Sequence, residues 1–390
     1  MKTRTFARRV ADLVPEGAYA MLGRARELET SGRDIIHLEI GEPDFPTVSY
    51  ISQAGREAIA AGYTRYNPPA GLPALRQKIA KEAGARRGIE IEPEQVIIGP
   101  GAKPGLFFST LALVEAGDEV LYPEPGFPTY PAMISVAGGR AIPLPLQEES
   151  GFTIDLEALD RLMNQRTRLI ILNSPSNPTG SILPVAELAH IARVAIKQDC
   201  WVISDEIYSR FVYDDQAATS IASLPGMAER TIIVDGFSKT YGMTGWRLGY
   251  AIMPSTLAER VELLITHSIG CTATFTQMAG LAALEGEQDL IDATVREYQK
   301  RRDLIVEGLN AIAGIKCKLP QGAFYVFPNI TGTGYSSRQL AFRLLEDAGV
   351  AVLPGTDFGE SGEGFLRLCF AVSPQTIRLA LERISKVIAH

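Results

Sequence analysis

The chain has 390 residues and a formal net charge of −7, with 46% hydrophobic and 21% charged residues. That composition excludes general disorder, and an acidic balance with both signs interspersed gives no footing for a nucleic-acid-binding surface. Four cysteines, Cys200, Cys271, Cys317 and Cys369, stand far apart with no CxxC pair; this argues against a metal site or a disulfide framework and suits reduced thiols in a cytoplasmic protein.

No run approaches the roughly 18 apolar residues of a membrane span. Arg8-Arg9 is followed by Asp12, Pro15 and Glu16 instead of an apolar stretch, so the start of the chain reads as an N-terminal arm, not an export signal. Seven short apolar runs rich in β-branched residues then follow, at Gln95–Gly99, Glu119–Pro123, Ala141–Leu146, Arg168–Asn173, Trp201–Asp205, Thr231–Asp235 and Leu248–Met253. Several are continuously hydrophobic, as in a sheet covered on both faces. Helical patterns alternate with them, at Phe107–Glu115 and at Val185–Lys197 behind Pro184. The alternation predicts an α/β fold with a seven-stranded, mostly parallel sheet between helices.

From about Ile291 the pattern changes to long helices, Thr294–Ala311, Ser337–Ala348 and Pro374–Ile388, with short β-like pieces at Ala323–Phe327 and Phe365–Phe370. Residues 291–390 therefore read as a smaller α+β domain. Residues 46–290 form the large domain, and residues 1–45 an arm that joins the small one.

The turn Gly99-Pro-Gly-Ala-Lys-Pro-Gly105 superficially resembles a dinucleotide-binding GxGxxG, but its third glycine comes one position late and two prolines disturb it. What survives is a strand, small residues and a helix start whose free N–H groups suit an anion. Later strand ends carry more. The fourth run ends in Asn173-Ser-Pro-Ser-Asn177-Pro-Thr-Gly, the fifth in Ser204-Asp205-Glu206-Ile207-Tyr208, the sixth in Gly236-Phe-Ser238-Lys239-Thr240, with Arg247 shortly after. Ligands of parallel α/β sheets bind beyond the carboxyl ends of strands. Singly, Asn177 is a turn former, Asp205 a cap, Tyr208 a core aromatic, Lys239 a solvated loop residue and Arg247 a surface ion pair; together they describe one cavity.

The strings SKTYGMTGWRLGY, SNPTG and SDEIY, with LEIGEPDF from Leu38, YTRYNPPAG from Tyr63 and FLRL from Phe365, resemble the class I/II aminotransferases of the pyridoxal-phosphate fold type I group, and within them the aspartate aminotransferase subfamily. The resemblance implies pyridoxal 5′-phosphate as cofactor and a homodimer with shared active sites. It implies Lys239 as the residue that condenses with the cofactor aldehyde and moves the substrate Cα proton, which needs a neutral amine. Asp205 would pair with the pyridine nitrogen. Tyr208 and Asn177 would reach the ring oxygen, Phe127 would stack on the ring, and Arg247, Ser238 and the N–H groups of Gly101, Ala102 and Lys103 would hold the phosphate. Tyr66 would reach that phosphate from the partner subunit. Arg367 would grip the substrate α-carboxylate with its planar fork, near Gly41 and Asn177. Many relatives place serine where Gly236 stands, which removes one phosphate contact.

For the substrate side chain, Lys103 sits where some relatives bind a distal carboxylate, so the expected reaction moves an amino group from aspartate or glutamate to a 2-oxo acid such as 2-oxoglutarate. The alternatives are aromatic or broad specificity, through Tyr19, Phe127, Tyr130 and Phe275, and a β-lyase on the same fold. A dehydrogenase rests only on the Gly99–Gly105 turn. A regulator would need a DNA-binding module of about 60 residues ahead of Leu38, for which the chain has no room.

Overall fold

A computed structural model of the chain describes residues 6–11 and 13–389; the remainder of the expected arm, residues 1–5 and Asp12, lies outside the described residues. All seven apolar runs become strands of one sheet, to which an eighth is added. In chain order they are β1 (Val96–Gly99), β2 (Glu119–Glu124), β3 (Arg140–Gln147), β4 (Thr153–Ile154), β5 (Thr167–Asn173), β6 (Trp201–Asp205), β7 (Thr231–Gly236) and β8 (Gly249–Ile252). Their lateral order is β1-β8-β7-β6-β5-β2-β3-β4. Strands β7, β6, β5, β2 and β3 run parallel. β8 is antiparallel to both its neighbours, and the two-residue β4, too short to form an apolar run, is antiparallel to β3 at the edge.

Side chains alternate across this sheet with period two. Leu169 and Ile171 of β5 pack with Ile203, Ile232 and Val234 under helices Lys103–Leu113, Thr129–Ala137 and Ser255–Thr266, which bring Leu106, Met133 and Val261. Ile170 and Leu172 face the other way with Val202, against Leu188 and Ile191 of helix Val185–Lys197. Both faces are covered, which is why these strands read as unbroken hydrophobic runs.

Helices Val185–Lys197, Ser337–Ala348 and Pro374–Ile388 lie where the periodicity placed them. Two begin earlier than expected. Helix Lys103–Leu113 has Pro104 in its first turn, where the missing N–H costs nothing. The long helix spans Asp289–Asn310, with Asp289 and Asp292 in its first turn, where the helix dipole favours acids. Beyond the large sheet, Tyr325–Val326, Leu366–Cys369 and Leu353–Pro354 form a three-stranded antiparallel sheet. Ile36–His37 pairs parallel with Val350–Ala351, tying the N-terminal segment to the C-terminal part.

Behind the carboxyl ends of β6 and β7 lies a buried ionic cluster. Arg87, the last residue of helix Pro73–Arg87, donates to Glu206 Oε2 at 2.7 Å and to Asp235 Oδ2 at 3.0 Å. Arg86 Nη2 and the Tyr250 hydroxyl also donate to Asp235 Oδ2, each at 3.1 Å. Burial alone would push the Asp235 carboxyl up, but Arg86 and Arg87 more than offset it and hold it below the usual carboxylate range. Breaking such a cluster leaves uncompensated buried charge, a loss of about 3–5 kcal/mol. Arg87→Met should therefore lower the urea midpoint by a stability change of that order; a midpoint equal to wild type would contradict the cluster's role.

Candidate active site

The carboxyl ends of β5, β6 and β7 open into a cavity of about 550 Å³. Lys239 reaches it three residues past the end of β7, and its Nζ donates to the Gly41 carbonyl at 2.7 Å. Among the described residues no carboxylate bridges to it. Burial lowers its proton affinity to about 8; Cys369 and Glu42 pull upward, Arg367 and Arg247 downward. Asp205, the last residue of β6, is buried, and burial pushes its carboxyl up to about 6 against hydrogen bonds from the Tyr130 hydroxyl (2.8 Å) and the Ile207 N–H (3.3 Å). Asn173 at the end of β5 donates through Nδ2 to the Asp205 carbonyl at 3.0 Å and accepts the Asn177 N–H at 2.8 Å, so the ends of neighbouring strands are tied together.

Close backbone approaches shape the anion end. A Cβ on Gly249 would fall 2.4 Å from the Gly101 carbonyl carbon, so only glycine lets the Gly101–Ala102 turn lie against β8. Gly101 itself has φ +94°, and a side chain there would overlap the Arg247 guanidinium. Arg247 is also left-handed, with φ +54°, a conformation that costs a non-glycine residue about 1–3 kcal/mol and is typical of functional sites. It is held by Nη1 on the Thr244 carbonyl (2.9 Å) and Nη2 on the Pro100 carbonyl (3.2 Å). The guanidinium thus stands beside the N-terminus of helix Lys103–Leu113, and together they make a place for a phosphate-like anion. At Gly236 a Cβ would lie 3.0 Å from Gly249 Cα, so this packing leaves little room for any side chain there.

At the other end Arg367 is buried between the rings of Tyr325 (4.6 Å) and Phe358 (5.1 Å). Its Nη1 donates to Asn177 Oδ1 at 3.3 Å and its Nη2 to the Glu39 carbonyl, while Nε has no protein partner. Tyr208 is buried and shares a 2.7 Å hydrogen bond with the Tyr325 hydroxyl.

The cavity therefore gathers Lys239, Asp205, Tyr208, Ala102, Lys103, Phe127, Asn177, Ser238, Arg247, Gly41, Arg367 and Tyr19. Gly101 backs it without lining it. Tyr66 does not line it and is 96% exposed, and Phe275 is also outside. Tyr325, Asp357 and Glu16 line it but carried no signal in the sequence, and Glu42, which also lines it, stood out only as part of the LEIGEPDF string. A Cβ on Gly41 would overlap the Tyr325 hydroxyl, so this glycine lets the two segments meet.

The profile of the family described as "Aminotransferase class I and II" matches residues 33–384. Among curated relatives, an aspartate aminotransferase of Pyrococcus horikoshii is 41% identical over 94% of this chain and 92% of its own. Among solved structures, "Aspartate aminotransferase from Thermus thermophilus with maleate" superposes with a TM-score of 0.93 at 38% identity, covering 99% and 100% of the two chains. An aromatic aminotransferase from P. horikoshii superposes with a TM-score of 0.89 at 40% identity over 94% and 98%. The chain belongs to the class I and II aminotransferases, which use pyridoxal 5′-phosphate to pass an amino group from an amino acid to a 2-oxo acid.

The cavity fits that cofactor on its own terms. It has a side-chain-free cradle at Gly101 beside a guanidinium and a helix start, a buried carboxylate at Asp205, and an enclosed amine at Lys239. That amine also sets a pH dependence in the protein without cofactor. Folded, Lys239 releases its proton near 8, against 10.5 in an unfolded chain. Between these values the unfolded chain binds more protons, so stability rises with pH across the window and is lowest at and below its lower edge. Lys239→Met apoprotein should melt higher than wild type near pH 7, with the two curves converging as pH rises. Parallel curves across that range would contradict the enclosed amine.

Proposed function

We propose that this chain is a homodimeric aminotransferase whose preferred pair is aspartate or glutamate with a 2-oxo acid such as 2-oxoglutarate. The observation that carries the reading is the placement of Lys239, Asp205, Arg247 and Arg367 around one cavity of about 550 Å³. When bound, pyridoxal 5′-phosphate supplies an electron-poor ring that takes up the electron pair left at the substrate Cα. Arg247, Ser238 and the N–H groups at Ala102 and Lys103 would hold its phosphate, Phe127 would cover its ring, and Asp205 would keep a proton on the pyridine nitrogen. Arg367 fixes the substrate α-carboxylate, with Asn177 beside it. Lys239 as a neutral amine then takes the Cα proton and returns it on the far side of the transfer.

Lys103 supports the dicarboxylate preference as a cation at the cavity wall, and a solved relative described with maleate, a dicarboxylate, supports it further. The likeness to an aromatic aminotransferase favours broader selectivity as the second reading. The dimer is supported by the loop at Tyr66. Thr274 Oγ1 donates to the Arg65 carbonyl at 2.9 Å and Asn67 Nδ2 to the Thr272 carbonyl at 2.7 Å, so a rigid loop presents a ring that is 96% exposed. A partner's cavity is the natural place for it. Residues 46–290 would be the large domain and 291–390 the small one, with residues 1–45 an arm and part of the small domain, a division supported by the pairing of Ile36–His37 with Val350–Ala351. Four free cysteines, three of them buried, fit a cytoplasmic location.

The test is a matrix of amino donors against 2-oxo acids with wild type and Arg367→Ala. Each charge-assisted hydrogen bond lost should cost about tenfold or more in kcat/KM. Unchanged kinetics in R367A would remove Arg367 from the site, and turnover independent of 2-oxo acid would point to a lyase.

A further inference from the structure

Lys103 is not free to meet a substrate carboxylate. Its ammonium already bridges to Oε1 of Glu16, and the same oxygen accepts from Thr129 Oγ1 at 3.1 Å. The ammonium also lies 5.1 Å over the Phe127 ring, and Phe127 packs edge-on to Tyr130 at 5.6 Å between centroids. Glu16 belongs to the segment that roofs the cavity, followed there by Gly17, Ala18, Tyr19 and Leu22. Gly17 has no room for a side chain because the Asp357 carboxylate fills that space. The roof is therefore seated closely, with a protein carboxylate placed on Lys103, the basic residue left among the described lining residues once Lys239, Arg247 and Arg367 are assigned.

Resting on the transaminase reading above, we infer that Glu16 is a specificity-determining residue: its carboxylate competes with the distal carboxylate of the substrate for Lys103. A dicarboxylic amino or oxo acid must displace Glu16, whereas a substrate with a neutral side chain leaves the Glu16–Lys103 pair in place and packs against Phe127 and Tyr130. Displacement has a destination. Glu16 is the N-cap residue of helix Gly17–Thr30, yet its side chain makes no capping hydrogen bond to that helix. Released from Lys103, the carboxylate can turn to its own helix N-terminus, where the dipole and unpaired N–H groups favour a negative charge. The exchange trades one partly buried ion pair for another, so the preference for dicarboxylates is smaller than an unpaired Lys103 would give. Neutral side chains are therefore tolerated beside the preferred dicarboxylates.

The test uses holoenzyme and two unreactive ligands, succinate and 3-phenylpropionate, measured by calorimetry, alongside kcat/KM for aspartate and phenylalanine. Glu16→Gln removes the competing charge and keeps the side-chain size. It should tighten succinate relative to 3-phenylpropionate by about fivefold and raise the aspartate-to-phenylalanine ratio of kcat/KM by a similar factor. Lys103→Met should lower both ratios, and in the E16Q/K103M double variant the effect of Glu16→Gln should vanish. If E16Q moves both ligands equally, Glu16 only seats the roof and the inference is overturned. The same holds if E16Q still acts without Lys103. If no amino acid transfers its amine while the succinate ratios shift as stated, the transaminase reading fails and the competition stands.

Discussion

An amine stripped of water governs this cavity. Lys239 follows the buried end of β7, and its hydrogen bond goes to the Gly41 carbonyl, a neutral acceptor, instead of a carboxylate that would hold the proton. Desolvation therefore dominates and brings the proton affinity down to about 8. Asp205 shows the same force with the opposite sign. Its charge is also penalised by burial, and the Tyr130 hydroxyl and the Ile207 N–H only partly restore it. Each group is poor at keeping its charge alone and well suited to a cofactor that offers it a partner. Pairs of groups whose environments move their proton affinities into the working range are the usual mark of acid–base chemistry.

The sheet delivers these groups because the parallel strands end at nearly the same level. Asp205 pairs in register with Asn173, so β5 and β6 place their last residues side by side, and β7, whose Val234 pairs with Asp205, runs two residues further before the turn to Lys239. Behind them the Arg87–Glu206–Asp235 cluster fixes the ends of β6 and β7 from the far side. Glycines then permit approaches that a side chain would block: Gly249 against the Gly101 turn, and Gly41 against the Tyr325 hydroxyl. Arg367, on the strand Leu366–Cys369, lines the other end of the cavity. In the proposed reading, substrate would be held from one part of the chain and cofactor from another, an arrangement suited to closure over the bound pair.

Much of this was legible in the sequence, for a physical reason. Strands buried on both faces become continuous apolar runs, and polar residues at their ends stand out; hence Asn177, Asp205 and Lys239 were visible together. Helix Val185–Lys197 was marked by its period and by Pro184, and its bounds coincide. What stayed hidden comes from single residues placed by long-range packing. Tyr325 lies on a two-residue strand, Asp357 in a short 3-10 turn, and Glu16 ahead of a helix with weak amphipathic contrast. None has a local pattern, and their proximity to Lys239 is a property of the assembled fold. The edge strand Thr153–Ile154 was missed for the same reason, since two residues cannot show a period. Tyr66 was singled out by motif, and its ring is exposed and does not line the chain's own cavity.

The most direct measurement follows the attachment of the cofactor to the protein as a function of pH. Apoprotein is mixed with pyridoxal 5′-phosphate, reduced with borohydride and digested, and the pyridoxyl group is located by mass spectrometry. The tag should fall on the peptide carrying Lys239, and the rate of tagging should titrate near 8, well below an ordinary lysine at 10.5. A tag spread over surface lysines, or a rate that keeps rising to the ordinary lysine range, would contradict an enclosed, deprotonated amine at the centre of the site.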